Sequence, residues 1–232
     1  MWSTRTDTYL GRNWIRRCGP LHMAQYFLIH PTHPQHRLIE QAADIVRTGG
    51  LLVYPTDSCY ALGCRLGDKD AMERIRSIRQ VDSTHHFTLV CRNLSEISRY
   101  ARVDNRVYRL LKASTPGSYT FILQATRDVP RRLQNPQRKT IGLRVPNHPV
   151  AQALLAELDE PLLSSTLLLP SDDLPLNDAR EIRRRLEHQV ELVVDAGSCG
   201  IEMTTVVDLT QPEPKVVRAG KGSTAPFGVN VA

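Results

Sequence analysis

Four stretches of this chain carry residues whose types and spacing could do chemistry. Ser164, Ser165 and Thr166 stand together in L-L-S-S-T-L-L-L-P, 162–170. Hydroxyls grouped at the end of an apolar run bind an anion or satisfy backbone groups. The leucines that follow do neither, so the stretch reads as a working site or as one that has been closed. Thr56 and Asp57 end Y-P-T-D, 54–57, directly after an apolar segment. Ligands of open α/β sheets collect beyond the carboxyl ends of strands, so these two read as substrate contacts or as a turn. Arg127, Arg131, Arg132, Arg138, Lys139 and Arg144 fall within 18 residues, opposed only by Asp128. They make an anion-attracting face, suited to RNA, or a solvated one. H-P-T-H-P-Q-H, 30–36, offers imidazoles, but its prolines prevent a helix from gathering them on one face. Metal sites also recruit ligands from several segments, so no protein-held metal is expected.

The elements that position these residues belong to a globular chain. Hydrophobic residues make up 41% and charged residues 23% of 232, which argues against disorder. No apolar run approaches the length of about 18 residues that spans a bilayer, so no membrane association is expected. Lys and Arg outnumber Asp and Glu by 30 to 24, a tilt that favours polyanionic partners or marks an ordinary basic enzyme. Five cysteines with no Cys-x-x-Cys pair read as reduced, mostly buried thiols of a cytoplasmic protein. Residues 1–22 carry Arg5, Arg12, Arg16 and Arg17 and read as an extension ahead of a domain spanning 23–232. An Arg-rich organellar address is the other reading of that extension.

Apolar periodicity predicts helices over 38–46, 71–78, 94–100, 105–112, 149–158 and 178–188. It predicts strands at 51–54, 87–91, 118–123, 141–145, 161–169, 191–194, 204–209 and 215–218. Helices and strands alternate without repeats, which gives one α/β (mixed α+β) domain with a single mixed sheet and a loose tail. No Walker loop, dinucleotide glycine fingerprint or G-x-S-x-G occurs, so the residues alone stop short of a reaction.

Six segments in order carry a resemblance: Y-P-T-D-S-C-Y-A-L-G-C (54–64), P-G-S-Y-T-F-I-L (116–123), I-G-L-R-V-P (141–146), L-L-S-S-T (162–166), T-T-V-V-D (204–208) and V-V-R-A-G (216–220). Together they resemble the YrdC family of threonylcarbamoyl-AMP synthases, and from Met23 most of all its YciO branch. The resemblance implies a YrdC/RibB-like fold, a single twisted mixed sheet flanked by helices with a basic concave surface. It implies ATP, carried with magnesium, L-threonine and bicarbonate as substrates, and no permanent cofactor. The product, threonylcarbamoyl-AMP, feeds threonylcarbamoyladenosine formation in tRNA. It also implies tRNA or double-stranded RNA as a partner.

Carried across residue by residue, the resemblance puts Thr56, Arg144 and Thr205 at threonine. It puts Arg79, Thr120, Ser164, Thr166 and Arg218 at the nucleotide. The basic run Arg127, Arg131, Arg132, Arg138 and Lys139 falls to RNA. Two motifs depart from the pattern. Where the family has Lys-x-Arg, this chain has Arg79 and Val81; where it has Ser-x-Asn, the chain has Thr166 and Leu168. A hydrogen bond to a charged group contributes about 1.5–3 kcal/mol, so losing two slows synthesis by on the order of 10²–10⁴. Arg76 and His85 are close enough in sequence to supply replacement contacts. A synthase with reduced activity and an RNA-binding module without efficient synthesis both fit.

Overall fold

The computed structural model describes residues 23–82 and 84–228. The extension over 1–22 lies outside the described residues. One ten-stranded sheet organises the chain: β1 (Gln25–Leu28), β2 (Leu52–Tyr54), β3 (Ala61–Arg65), β4 (Thr88–Val90), β5 (Tyr119–Gln124), β6 (Thr140–Arg144), β7 (Leu162–Thr166), β8 (Leu192–Asp195), β9 (Thr205–Asp208) and β10 (Lys215–Arg218). The spatial order is β1-β8-β2-β3-β7-β4-β6-β5-β9-β10. Pairing is mixed: β1, β2 and β8 run parallel, as do β4 with β6 and β5 with β9, and the remaining pairs are antiparallel.

Six helices cover it: α1 (His36–Arg47), α2 (Lys69–Arg79), α3 (Leu94–Tyr100), α4 (Asn105–Ser114), α5 (Pro149–Leu158) and α6 (Ala179–Leu186). Caps set several starts. Asp68, Asp104 and Asp178 accept from the third N–H of α2, α4 and α6, which satisfies donors the helix cannot. Strand alternation sends Val53, Leu62, Leu89 and Leu163 to one face, where α2, α3, α4 and α6 close the larger core. Leu52, Tyr54, Leu162 and Leu192 point the other way and meet α1 and α5.

That second layer is short. The apolar residues of α1 and α5 pack over the β1–β8–β2–β3–β7 half of the sheet, reaching only Val90 of β4. Beyond it, residues of β4, β6, β5, β9 and β10 on the same face line an open cleft. The cleft is therefore a consequence of layer coverage. Among the described residues no helix is long and apolar enough to cross a membrane.

Three expectations change. Strands β1 and β3 were not distinguished by periodicity, because each is short and β3 contains Gly63. That glycine is required: a Cβ there would lie 2.9 Å from the Tyr54 ring of the neighbouring strand. The strand expected over 161–169 ends at Thr166, where the Leu168 N–H folds back to the Thr166 carbonyl. Of the expected loose tail, residues 223–228 are docked through Phe227, which is buried with its ring centroid 5.7 Å from Tyr119 and 6.2 Å from Phe121, and 229–232 lie outside the described residues.

Candidate functional site

The cleft has a volume of about 350 Å³. Its floor is a row across the sheet set by strand register: Ser164 beside Thr88, Thr88 beside Gly142, Gly142 beside Ile122. A Cβ on Gly142 would meet Thr88 Oγ1 at 3.3 Å and Thr120 Cγ2 at 3.4 Å, so glycine there deepens the floor. Four arginines reach the lining, Arg79, Arg138, Arg144 and Arg218, with His85 and His86; among the described residues no carboxylate lines it.

The four arginines differ in what holds them. Arg138 Nη2 lies 2.6 Å from the buried carboxylate of Asp208 and 2.9 Å from Thr210 Oγ1. Arg144 Nη2 lies 2.6 Å from Asp57 Oδ1, an ion pair whose side chains are 9% and 10% exposed. Ser118 Oγ donates to the other Asp57 oxygen at 2.7 Å, and the buried Nε of Arg144 has no partner among the described residues. Those two cations are neutralised within the fold. Arg79 and Arg218 are not.

Arg218, on β10, donates from Nε and Nη2 to the Thr204 carbonyl at 3.2 and 2.9 Å and from Nη2 to Thr204 Oγ1 at 3.3 Å. Thr204 Oγ1 is in turn 2.9 Å from Thr120 Oγ1. Arg79, at the end of α2, donates from Nη1 to Ser165 Oγ at 2.6 Å and from Nε to the Leu168 carbonyl at 3.3 Å. Burial lowers both guanidinium groups from their ordinary value, yet that value is so high that both keep their charge at neutral pH. Two cations held by neutral acceptors, at opposite ends of a carboxylate-free cleft, form an anion receptor. The lining has no ligand set for a protein-held divalent cation, and among the described residues no group of three His, Cys, Asp or Glu could hold a metal ion.

The residues singled out in the sequence divide accordingly. Arg79, Thr120, Ser164, Thr166, Arg144, Arg138 and Arg218 are brought together at the cleft. The Ser164 hydroxyl is already engaged, accepting from Tyr54 and donating to the Leu62 carbonyl, both at 2.9 Å. Thr56 is buried behind the wall, where its Oγ1 donates to the Cys59 carbonyl at 2.6 Å and lies 3.3 Å from Arg144 Nη2. Thr205 lies outside the lining. It is fully buried on the core face of β9, donating to the Gly222 carbonyl at 2.5 Å and accepting from the Gly220 N–H at 3.0 Å. Its neighbour Thr204 faces the cleft instead. Alternation carries a signal here: Thr204 and Val206 share their face with Asp208, whereas Thr205 and Val207 share theirs with Leu209, which is the core side.

The basic run does not form one face. Arg138 turns into the cleft, and Arg132 donates to the Gly67 carbonyl. Arg127, Arg131 and Lys139 instead share a second groove of about 660 Å³ with Arg102, which the sequence did not flag. The histidines of 30–36 are exposed, and Thr32 bridges His30 and His33. Cys59, Cys64 and Cys91 are buried free thiols and Cys199 is partly exposed, whereas Cys18 lies outside the described residues.

The sequence profile of the Sua5/YciO/YrdC family, described as telomere recombination, matches residues 44–220. The chain belongs to that family. It is 57% identical to YciO of Escherichia coli over 205 residues, 88% of this chain and all of that protein, and it superposes on the YciO crystal structure with a TM-score of 0.85. It is 29% identical to a threonylcarbamoyl-AMP synthase of Halorhodospira halophila over 170 residues, 73% of this chain and 88% of that enzyme. P. abyssi Sua5, solved with L-threonine, shares the fold at 23% identity and a TM-score of 0.77, over 84% of this chain and 57% of that one. The chain is thus YciO-like and distantly related to threonylcarbamoyl-AMP synthases.

Proposed function

We propose that the cleft binds ATP and L-threonine and forms threonylcarbamoyl-AMP from threonine, bicarbonate and ATP, with release of pyrophosphate. The observation that carries this reading is the pair Arg79 and Arg218, charged and without a carboxylate partner among the described residues, flanking a cleft of nucleotide size. The reaction needs a carbamate oxygen of threonine to attack the α-phosphorus while the bond to pyrophosphate breaks. Positioning and charge stabilisation are what a protein supplies to such a transfer. Arg218, Thr204 and Thr120 form one hydroxyl- and cation-bearing wall for phosphate or ribose oxygens. Arg144 lines the cleft while paired with Asp57, and in this reading it is the arginine that takes the threonine carboxylate. Magnesium enters with ATP as part of the substrate.

The family relation to enzymes named threonylcarbamoyl-AMP synthase supports the chemistry, and a supply of threonylcarbamoyl groups for tRNA is the role that follows. Val81 and Leu168 support a reduced rate, since neither side chain can bind phosphate. The test is pyrophosphate release with purified protein. Release that depends on both threonine and bicarbonate is expected. Its absence at saturating ATP, with ATP bound, would remove the synthase reading and leave a binding protein.

The second groove favours an RNA-binding role beside or in place of synthesis. Arg102, Arg127, Arg131 and Lys139 line it, with no carboxylate among the described residues. Phosphate contacts release counterions, so affinity for a double-stranded RNA should fall steeply with salt. Charge reversal at Arg127 and Arg131 should abolish that dependence, whereas Arg132→Glu should do less because Arg132 already donates to Gly67. Salt-independent binding would count against this groove.

A further inference from the structure

Arg79 sits among neutral acceptors only. Nε donates to the Leu168 carbonyl, Nη1 donates to Ser165 Oγ, and Nη1 also lies 3.1 Å from His85 Nε2. A guanidinium has five N–H donors and no acceptor. Three are therefore engaged, and the two on Nη2 have no protein partner among the described residues. Because a guanidinium only donates, its contact with His85 Nε2 is a hydrogen bond only when that nitrogen is unprotonated. Ser165 Oγ accepts from Arg79 and lies 3.0 Å from the same nitrogen. The imidazole is then neutral, with its proton on Nδ1. Phe87 holds the ring edge-on, with centroids 5.4 Å apart.

We infer that His85 is a positioning residue of the cleft, whose Nε2 fixes Arg79 so that its Nη2 edge faces a bound phosphate. The inference rests on the nucleotide reading of this cleft. It also explains why the acceptor is an imidazole. A carboxylate at the same place would hold Arg79 more tightly but would cancel its charge, as Asp57 does for Arg144 and Asp208 for Arg138. A neutral acceptor orients the guanidinium and leaves its charge for the ligand. Burial, then the positive charges of Arg79, His86 and Arg76, push His85 down to about 4 against the opposing Asp82, so the ring stays neutral at physiological pH. His85 and Ser165 thus hold one cation in place where the family's Lys-x-Arg pattern would set two.

The test is calorimetric binding of ATP, inorganic pyrophosphate and adenosine to the wild type, His85→Leu and His85→Gln, with nitrogen-15 NMR of the wild-type ring. His85→Leu should weaken ATP and pyrophosphate about tenfold, the loss of one oriented charged contact, and leave adenosine unchanged. His85→Gln offers an acceptor oxygen and should restore most of that affinity. The NMR spectrum should show Nδ1 protonated down to mildly acidic pH. Equal loss for adenosine and ATP, or unchanged ATP affinity in His85→Leu, overturns the positioning role alone. A ring protonated on Nε2, or titrating near the ordinary histidine value, overturns the geometry whatever binds. A wild type that binds neither ATP nor pyrophosphate overturns the nucleotide reading and this role with it.

Discussion

Arg144→Met should be the most damaging single change at the cleft, and for a reason separable from binding. Arg144 and Asp57 are 9% and 10% exposed and meet at 2.6 Å. Removing one partner of a buried pair leaves the other charged and desolvated, at a cost of about 3–5 kcal/mol. Ser118 still donates to Asp57 at 2.7 Å, which places the expectation at the lower end. For a chain of this size about 3 kcal/mol corresponds to a fall in Tm of roughly 6–12 °C. The double variant Arg144→Met with Asp57→Asn removes both charges and should recover most of the loss, because replacing a buried pair by neutral groups is often close to neutral. Urea unfolding monitored by two probes measures all three proteins. Threonine binding should be absent from both the single and the double variant, so stability and affinity part company in the double. A single variant within about 1 kcal/mol of wild type, or a double no more stable than the single, would refute the reasoning that the pair is desolvated.

Thr204→Val should weaken ATP binding and cost less stability than Thr205→Val, because its lost partners Thr120 and Arg218 line the open cleft and can take water, whereas Thr205→Val, losing two buried hydrogen bonds to the 220–222 turn, should cost about 1–3 kcal/mol; thermal unfolding beside calorimetry separates them. Val81→Arg with Leu168→Asn should raise pyrophosphate release at least about tenfold if those two contacts limit synthesis. Both side chains are only partly buried and neither joins a hydrophobic core cluster, so Tm should hold; a folded variant with no gain favours the binding reading. Burial depresses His85 to about 4 and also lowers His148. Protons then bind the unfolded chain first, so stability should be full above about pH 6.5 and fall as pH drops toward 4. His85→Gln should flatten that acid slope in urea titrations, and an unchanged slope would assign it elsewhere.

Much of this was written in the sequence. Caps such as Asp68 and Asp104 and apolar periodicity set most helices and strands locally, because those signals act within a few residues. The ordered motifs fixed the family and gathered Arg79, Thr120, Ser164, Thr166, Arg144 and Arg218 as candidates, and the fold brings all six to one cleft. Position along the chain could not say which charges remain available. Arg138 and Arg144 are neutralised by Asp208 and Asp57, 70 and 87 residues away in the chain, while Arg79 meets only neutral acceptors. The choice of Thr204 over Thr205 is hinted at by Asp208 and Leu209, which end the two faces of the strand, and is decided by which side of β9 the core occupies. The cleft exists because α1 and α5 cover only half of one sheet face. Motif content is local and legible in the sequence. Pairing of charges and coverage of a sheet depend on long-range packing, and only the tertiary structure decides them.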